Sequence, residues 1–133
     1  MLRKDHGMKT ILIIDDEELV IKSVEKLLTK QGYQVIVCRR GAEAIETVKK
    51  KDVNLIICDI RMPDLSGVET IKKIREIRQQ RGQEKIPEIL MTGYADPEVN
   101  AEAEKLAVSD YLYKPFDLIA FLSSVKKSIG DEN

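Results

Sequence analysis

An α/β domain built on a parallel sheet is the fold class that the sequence predicts, and three observations carry the prediction. Short β-rich runs, apolar almost throughout and not alternating, are the pattern of strands covered on both faces. Segments of helical period lie between them, with cap and turn residues at the joins. Five such βα units follow one another without linker, repeat or low-complexity segment, which implies a doubly wound sheet, helices on both faces and right-handed crossovers. At 133 residues the chain fits one domain, large enough to bury a core without disulfides or structural metal.

Taken in order, the first strand is predicted at "KTILIID", residues 9–15, and the first helix places Val20, Val24, Leu27 and Leu28 on one stripe before ending at Gly32. "YQVIVC" (33–38) and "NLIICD" (54–59) are the second and third strands, with the second helix between them. Helix three carries Ile71, Ile74 and Ile77 on one face, and "IPEILMT" (86–92) is the fourth strand. Asp96 followed by Pro97 reads as a cap and first residue of helix four, whose stripe is Val99, Ala103 and Leu106. "SDYLY" (109–113) is the fifth strand. Asp117 caps the last helix, which buries Leu118, Phe121, Leu122, Val125 and Ile129.

Composition removes several function classes. Lys plus Arg number 22 against 23 Asp plus Glu, a net charge of -1, so bulk attraction to nucleic acid or anionic membrane is not indicated. The basic stretch "IKKIREIRQQRGQEK" is read as the solvated side of a helix. No apolar run approaches the roughly 18 to 20 residues of a membrane span, and the start "MLRKDHGMKT" lacks the apolar core of a signal peptide. A cytoplasmic protein is expected. Two cysteines are too few for a disulfide framework, no Cys or His cluster has zinc spacing, and His6 sits in a polar leader.

The chemistry lies in "TILIIDDEELV" (10–20), where an apolar run meets four consecutive acids. In parallel α/β sheets ligands bind outside the carboxyl ends of the strands. Asp15 and Asp16 close strand one, Asp59 strand three and Thr92 strand four, while Lys114 follows strand five, so all five converge on one edge. Three carboxylates that close repel one another unless a cation sits among them, and oxygen-only ligands suit Mg²⁺. A lysine and a hydroxyl beside a metal-bound carboxylate are the parts that hold a transferring phosphoryl group. The plainer alternative makes Asp15 and Asp16 caps of helix one. Glu17 and Glu18 are read as first-turn acids on a solvated face, and Pro63 and Gly67 of "MPDLSG" as turn formers.

With Asp15-Asp16, Asp59 in "CDIRMPDLSG", Thr92 in "LMTGYAD" and Lys114 in "YLYKPF" in this order, the chain resembles the receiver domain of bacterial two-component response regulators. The resemblance spans about residues 9–130, leaving a leader at 1–8 and a tail at 131–133. It implies a flavodoxin-like (βα)5 fold with strand order 2-1-3-4-5, and a phosphorylation-activated signalling switch that is not an enzyme acting on a separate substrate. By resemblance Asp59 accepts phosphoryl from a histidine kinase or histidine phosphotransfer protein. Asp16 and Asp59 are direct Mg²⁺ ligands, Asp15 acts through water, and Arg61 contributes its backbone carbonyl. Lys114 and Mg²⁺ keep Asp59 ionised. Thr92 is the switch hydroxyl and Tyr111 the aromatic that rotates with it. Arg61 and Tyr94 flank the water that removes the phosphoryl group, and a tyrosine there is bulky enough to slow hydrolysis. The Lys114-Pro115 bond is expected to be cis. Cys38 and Cys58, on strands two and three with strand one between, are expected to be free thiols, since two strand spacings of roughly 9 to 10 Å exceed the Cα separation of about 7 Å that a disulfide tolerates.

The expected output surface is helix four, strand five and helix five, with Ala101, Ala107, Tyr111, Lys114 and the helix from Asp117, meeting an effector or a second receiver. No direct nucleic-acid binding by this chain is expected, and no DNA-binding or ATPase effector is expected within these residues, whether the chain is a stand-alone regulator or a receiver excised from a longer transcription factor or hybrid kinase. "QQRGQEK" is about three residues longer than in a compact member, which lengthens a loop away from the site. Two other classes fit less well. A haloacid-dehalogenase-like phosphohydrolase carries D-x-D after strand one, which "DDEE" does not match, and a flavodoxin-type FMN carrier needs a hydroxyl- and glycine-rich phosphate loop there.

Overall fold

In the computed structural model, the described residues are 8–93 and 97–131. The expectations placed on His6, Tyr94 and Asp96 lie outside them, as does that on the Val99 side chain. Five strands, β1 (Thr10–Ile14), β2 (Gln34–Cys38), β3 (Leu55–Asp59), β4 (Glu88–Thr92) and β5 (Asp110–Tyr113), alternate with five helices, α1 (Glu18–Lys30), α2 (Gly41–Lys50), α3 (Gly67–Gln80), α4 (Pro97–Lys105) and α5 (Leu118–Ile129). All pairings are parallel and the sheet order is β2-β1-β3-β4-β5. Both features are as predicted, with strand ends trimmed by one or two residues.

The apolar runs sort by position in that order. The central strands β1, β3 and β4 are buried at every residue, whereas the edge strands β2 and β5 are half-buried. Side chains alternate between faces along a strand, so two core layers result. Leu12, Ile14, Ile56, Cys58 and Leu90 pack with Ala44 and Val48 of α2, Ile71 and Ile74 of α3 and Ala103 of α4. Ile11, Ile13, Leu55, Ile57, Ile89 and Met91 pack with Val24 and Leu28 of α1 and Phe121 and Val125 of α5. Each fully buried Ile or Leu contributes about 1.5–3 kcal/mol, which is what fixes the register.

Several helix faces differ from expectation. On α1 the buried line is Ile21, Val24 and Leu28, with Val20 and Leu27 only half-buried, because the helix seats on the sheet along the Ile21 side. Leu118 is 43% exposed; as the first residue of α5 it overhangs the sheet edge. Leu106 is buried, one residue past the end of α4.

Punctuation follows the sequence more closely. Gly32, at φ +92°, turns the chain after α1 in a backbone region that costs other residues more. The Asp117 carboxylate accepts the Ile119 N–H at 2.8 Å. Ser66 and Glu69 form a capping box at α3, readable in "SGVE" as Ser-x-x-Glu but absent from the expectations. Cys38 and Cys58 are free and buried. The loop after α3 enters β4 at its amino end, on the edge of the sheet opposite Asp59.

Arg75 corrects the reading of the basic stretch as wholly solvated. Its guanidinium donates to both carboxylate oxygens of Glu88, at 2.6 and 2.9 Å, and Glu88 is only 1% exposed.

Candidate functional site

The carboxyl ends of β1, β3 and β4 bring Asp15, Asp59 and Thr92 to one edge, at 0%, 5% and 2% exposure. Lys114, just past β5, reaches across from the far side. Its ammonium donates to Asp15 Oδ2 at 2.9 Å, Asp59 Oδ2 at 3.1 Å and Glu17 Oε1 at 2.5 Å. Backbone geometry aims it: the Lys114 N–H donates to the Thr92 carbonyl at 2.7 Å, carrying the β4–β5 ladder past the strand end, and Lys114-Pro115 is cis, as expected.

The remaining carboxylate oxygens are held by the backbone. Asp15 Oδ1 accepts the Glu17 N–H at 2.9 Å, and Asp59 Oδ1 accepts the Arg61 N–H at 3.3 Å. Asp15 is therefore part of the site and not simply a helix cap. Glu17, expected on a solvated face, brings its carboxylate to Lys114 although its side chain is 57% exposed. Glu18 does behave as a surface acid, paired with Arg39 at 2.7 Å.

Among the described residues, carboxylate oxygens of Asp15, Glu17 and Asp59 all lie within 4.8 Å of one another. Asp16, expected as a direct ligand, is exposed and outside this trio. The backbone turns from strand to helix over residues 15–18, which directs alternate side chains, 15 and 17, toward Lys114. No signal in "DDEE" alone distinguishes these from Asp16.

Charge is unbalanced here. Burial, then the Asp15 charge, push the Asp59 carboxyl from 3.8 up to about 6, against the opposing pull of Lys114 and the Arg61 N–H. Burial by itself would lower the Lys114 ammonium, but its hydrogen bonds to Glu17 and Asp15 and the Asp59 charge outweigh it and raise it. Lys114 pulls the Asp59 carboxyl in the expected direction; one ammonium among three carboxylates leaves an excess of negative charge that a divalent cation can take up.

Behind the edge, Tyr111 is half-buried against the layer beneath α4, its ring 5.1 Å from that of Tyr113. Tyr113 is 57% exposed. The side chain of Arg61 is exposed.

The comparisons with known proteins agree with this arrangement. The family model described as response regulator receiver domain matches residues 11–126, from the first core residue of β1 to the last turn of α5. The chain belongs to that family. Relatives of this receiver domain include the transcriptional regulatory protein ZraR of Escherichia coli strain K12, 32% identical over 94% of this chain, and the polar-differentiation response regulator DivK of Brucella ovis, 29% identical over 92%. The chain spans about a quarter of ZraR, 27%, and nearly all of DivK, 98%. A CheY-like receiver domain protein from Methanospirillum hungatei superposes with a TM-score of 0.83 at 26% identity, over 94% of this chain and 96% of that one. The response regulator TrrA of Thermotoga maritima, solved in complex with Mg²⁺ and BeF, does so at 0.76 and 29% identity, over 90% and 98%.

Asp64 in the loop after Asp59 and Gly67 at the start of α3 support the receiver domain's edge without joining it. A Cβ on Gly67 would meet the Asp59 carbonyl oxygen and come within 2.8 Å of the Ile60 Cα, so only glycine lets α3 start this close to Asp59. The Asp64 carboxylate accepts the N–H groups of Gly41 and Ala42 at 3.0 and 2.9 Å, and those bonds hold its carboxyl below the usual range. The structural reading of "MPDLSG" is sufficient for Gly67.

Proposed function

We propose that this receiver domain accepts a phosphoryl group on Asp59 from a histidine kinase or histidine phosphotransfer protein, with Mg²⁺ at the acidic edge, and passes the signal through the α4–β5–α5 face. The single observation that supports it is the gathering of Asp15 and Asp59 on the Lys114 ammonium at the carboxyl edge of the sheet. The donor set fits Mg²⁺: it offers only oxygens, is short of positive charge, and opens to solvent at Glu17. Asp16 and Asp59 would hold the ion directly and Asp15 through water, together with the Arg61 carbonyl. Bound there, it supplies positive charge that favours ionised Asp59 and neutralises the phosphoryl oxygens.

In the transfer, an Asp59 carboxylate oxygen attacks phosphorus in line. The new O–P bond forms as the P–N bond to the donor imidazole breaks, and the departing nitrogen keeps the electron pair and is protonated from solvent. Lys114 moves a hydrogen bond onto a phosphoryl oxygen, and the Thr92 hydroxyl offers another. Tyr111 follows Thr92 inward, which changes the surface of α4, β5 and α5. A protein donor suits the lip of the site, where Leu19 and Ile119 are 83% and 80% exposed beside a groove of about 630 Å³ lined by Val20, Pro115, Phe116 and Leu118. Apolar exposure of this kind marks contact surfaces.

Among the described residues no helix is long and apolar enough to cross a membrane, and the proposed setting is cytoplasmic. The domain is a phosphoacceptor and not an enzyme with a separate substrate. Incubation with acetyl phosphate and Mg²⁺ is expected to add the mass of one phosphoryl group, removable by hydroxylamine. An unchanged mass would sink the proposal.

Two further outcomes are expected. Because the folded protein binds the Asp59 proton more tightly than the unfolded chain does, the stability gained from it is full below about pH 4 and lost as pH rises through 6. Metal-free melting temperature should therefore fall between roughly pH 4 and 6.5 more steeply in the parent than in Asp59→Asn, and Mg²⁺ should raise it most at the upper end. Parallel profiles for the two proteins would contradict this. Tyr94→Glu, which replaces a shielding ring with a group able to orient water, is expected to shorten the lifetime of the phosphorylated chain several-fold; an unchanged or longer lifetime would dismiss the shielding role.

A further inference from the structure

We propose that Glu17 is a positioning residue that acts through Lys114: its carboxylate holds the place on the ammonium that a phosphoryl oxygen has to take, so this acid sets how readily a phosphoryl donor enters. An ammonium has three N–H donors and no more. In the structure Asp15 Oδ2, Asp59 Oδ2 and Glu17 Oε1 supply three acceptors at 2.9, 3.1 and 2.5 Å. A phosphoryl oxygen can reach Lys114 only by displacing one of them.

The three are not held equally. Asp15 and Asp59 are buried, and each has its second oxygen tied to a backbone N–H. Glu17 comes in from solvent on a side chain with three rotatable bonds, 57% exposed. It is the one that yields. A phosphoryl group brings about −1.5 to −2 of charge, which repels the Glu17 carboxylate as it takes the vacated hydrogen bond. The third acid thus competes with the donor for one ammonium, a role different from a cation ligand and different from a helix cap, since Glu17 makes no side-chain cap bond to α1.

The inference rests on Asp59 being the phosphoacceptor, and the test separates the two. Beryllofluoride, a phosphoryl mimic, is titrated with Mg²⁺ into the parent, Glu17→Gln, Glu17→Asp and Glu18→Gln, and acetyl phosphate labelling is followed in each. Glu17→Gln is expected to bind beryllofluoride about two- to fivefold more tightly, the span set by a solvent-screened ion pair. Its half-saturating acetyl phosphate concentration should fall by a similar factor while the maximal rate changes less. Glu17→Asp keeps the charge but shortens the reach to Lys114, and is expected to side with Gln. Glu18→Gln removes the same charge one residue on, from a carboxylate engaged with Arg39, and is expected to match the parent.

Unchanged or weaker binding in Glu17→Gln, or an equal gain in Glu18→Gln, would overturn the role of Glu17. So would a loss of Mg²⁺ affinity of about tenfold or more in Glu17→Gln by calorimetry without beryllofluoride, because a residue that holds or orients the ion loses at least that much. A parent chain that neither binds beryllofluoride nor gains a phosphoryl group would overturn the function proposed for Asp59, and this inference with it.

Discussion

Asp59→Asn is expected to bring phosphoryl acceptance from acetyl phosphate below detection while leaving the fold intact. The amide keeps the size and one acceptor oxygen of the carboxylate but loses the nucleophilic charge, so no O–P bond forms. It also relieves the charge crowding around Lys114, where Asp59 already sits at about 6 under burial and the Asp15 charge. The metal-free variant should therefore melt at or above the parent at neutral pH, which separates lost chemistry from lost folding. The check is intact mass after incubation, with hydroxylamine sensitivity to identify an acyl phosphate. Labelling of Asp59→Asn equal to the parent would place the acceptor elsewhere.

Arg75→Ala is expected to be strongly destabilising although it is remote from the site. Glu88 is the first residue of β4, opposite Ile56 in the register, and its carboxylate is 1% exposed with two hydrogen bonds from Arg75. Removing one partner of a buried pair costs about 3–5 kcal/mol, because the other charge stays in low dielectric without compensation. Lys85, whose Nζ lies 3.9 Å from Glu88 Oε1 on a half-exposed side chain, takes over part of the interaction, so the lower end of that range is expected. Urea unfolding should show the midpoint falling at unchanged slope. Lys73→Ala, exposed on the same helix, should stay within about 0.5 kcal/mol of the parent. Replacing both members, as Arg75→Met with Glu88→Leu, should recover most of the loss, since the pair's own net contribution is small once both charges are gone. A cost below about 1 kcal/mol for Arg75→Ala would show that Glu88 is solvated or otherwise paired.

Those two results would bear on different levels of the molecule. The phosphoacceptor edge is assembled from residues that each end a strand, while the Arg75–Glu88 pair ties α3 to the start of β4 at the other edge. Because α3 also begins against the Asp59 carbonyl through Gly67, the same helix is anchored at both ends of the sheet. Its first turn is fixed further by the Ser66–Glu69 capping box.

What the sequence by itself determined is whatever repeats along the chain or marks a strand's end. Short runs of four or five residues, punctuated by Gly32 and Asp117, are enough to place β1 to β5 and the helices between them, because burial of the central strands on both faces leaves no polar alternation to misread. Once the strands are parallel, their carboxyl ends share an edge, and Asp15, Asp59, Thr92 and Lys114 are brought together by topology alone. What only the tertiary structure decided is the direction of side chains where the backbone leaves regular structure, and the pairing of charges distant in sequence. Asp16 and Glu17 are adjacent acids with the same local signal; the turn between β1 and α1 sends Glu17 to Lys114, 97 residues away in sequence, and Asp16 to solvent. Glu88 and Arg75 read as one acid in an apolar run and one base in a charged helix, until the packing of α3 on β4 removes water from between them. Local sequence fixes where a backbone turns or extends, but which charges meet depends on the three-dimensional positions of elements that no periodicity relates.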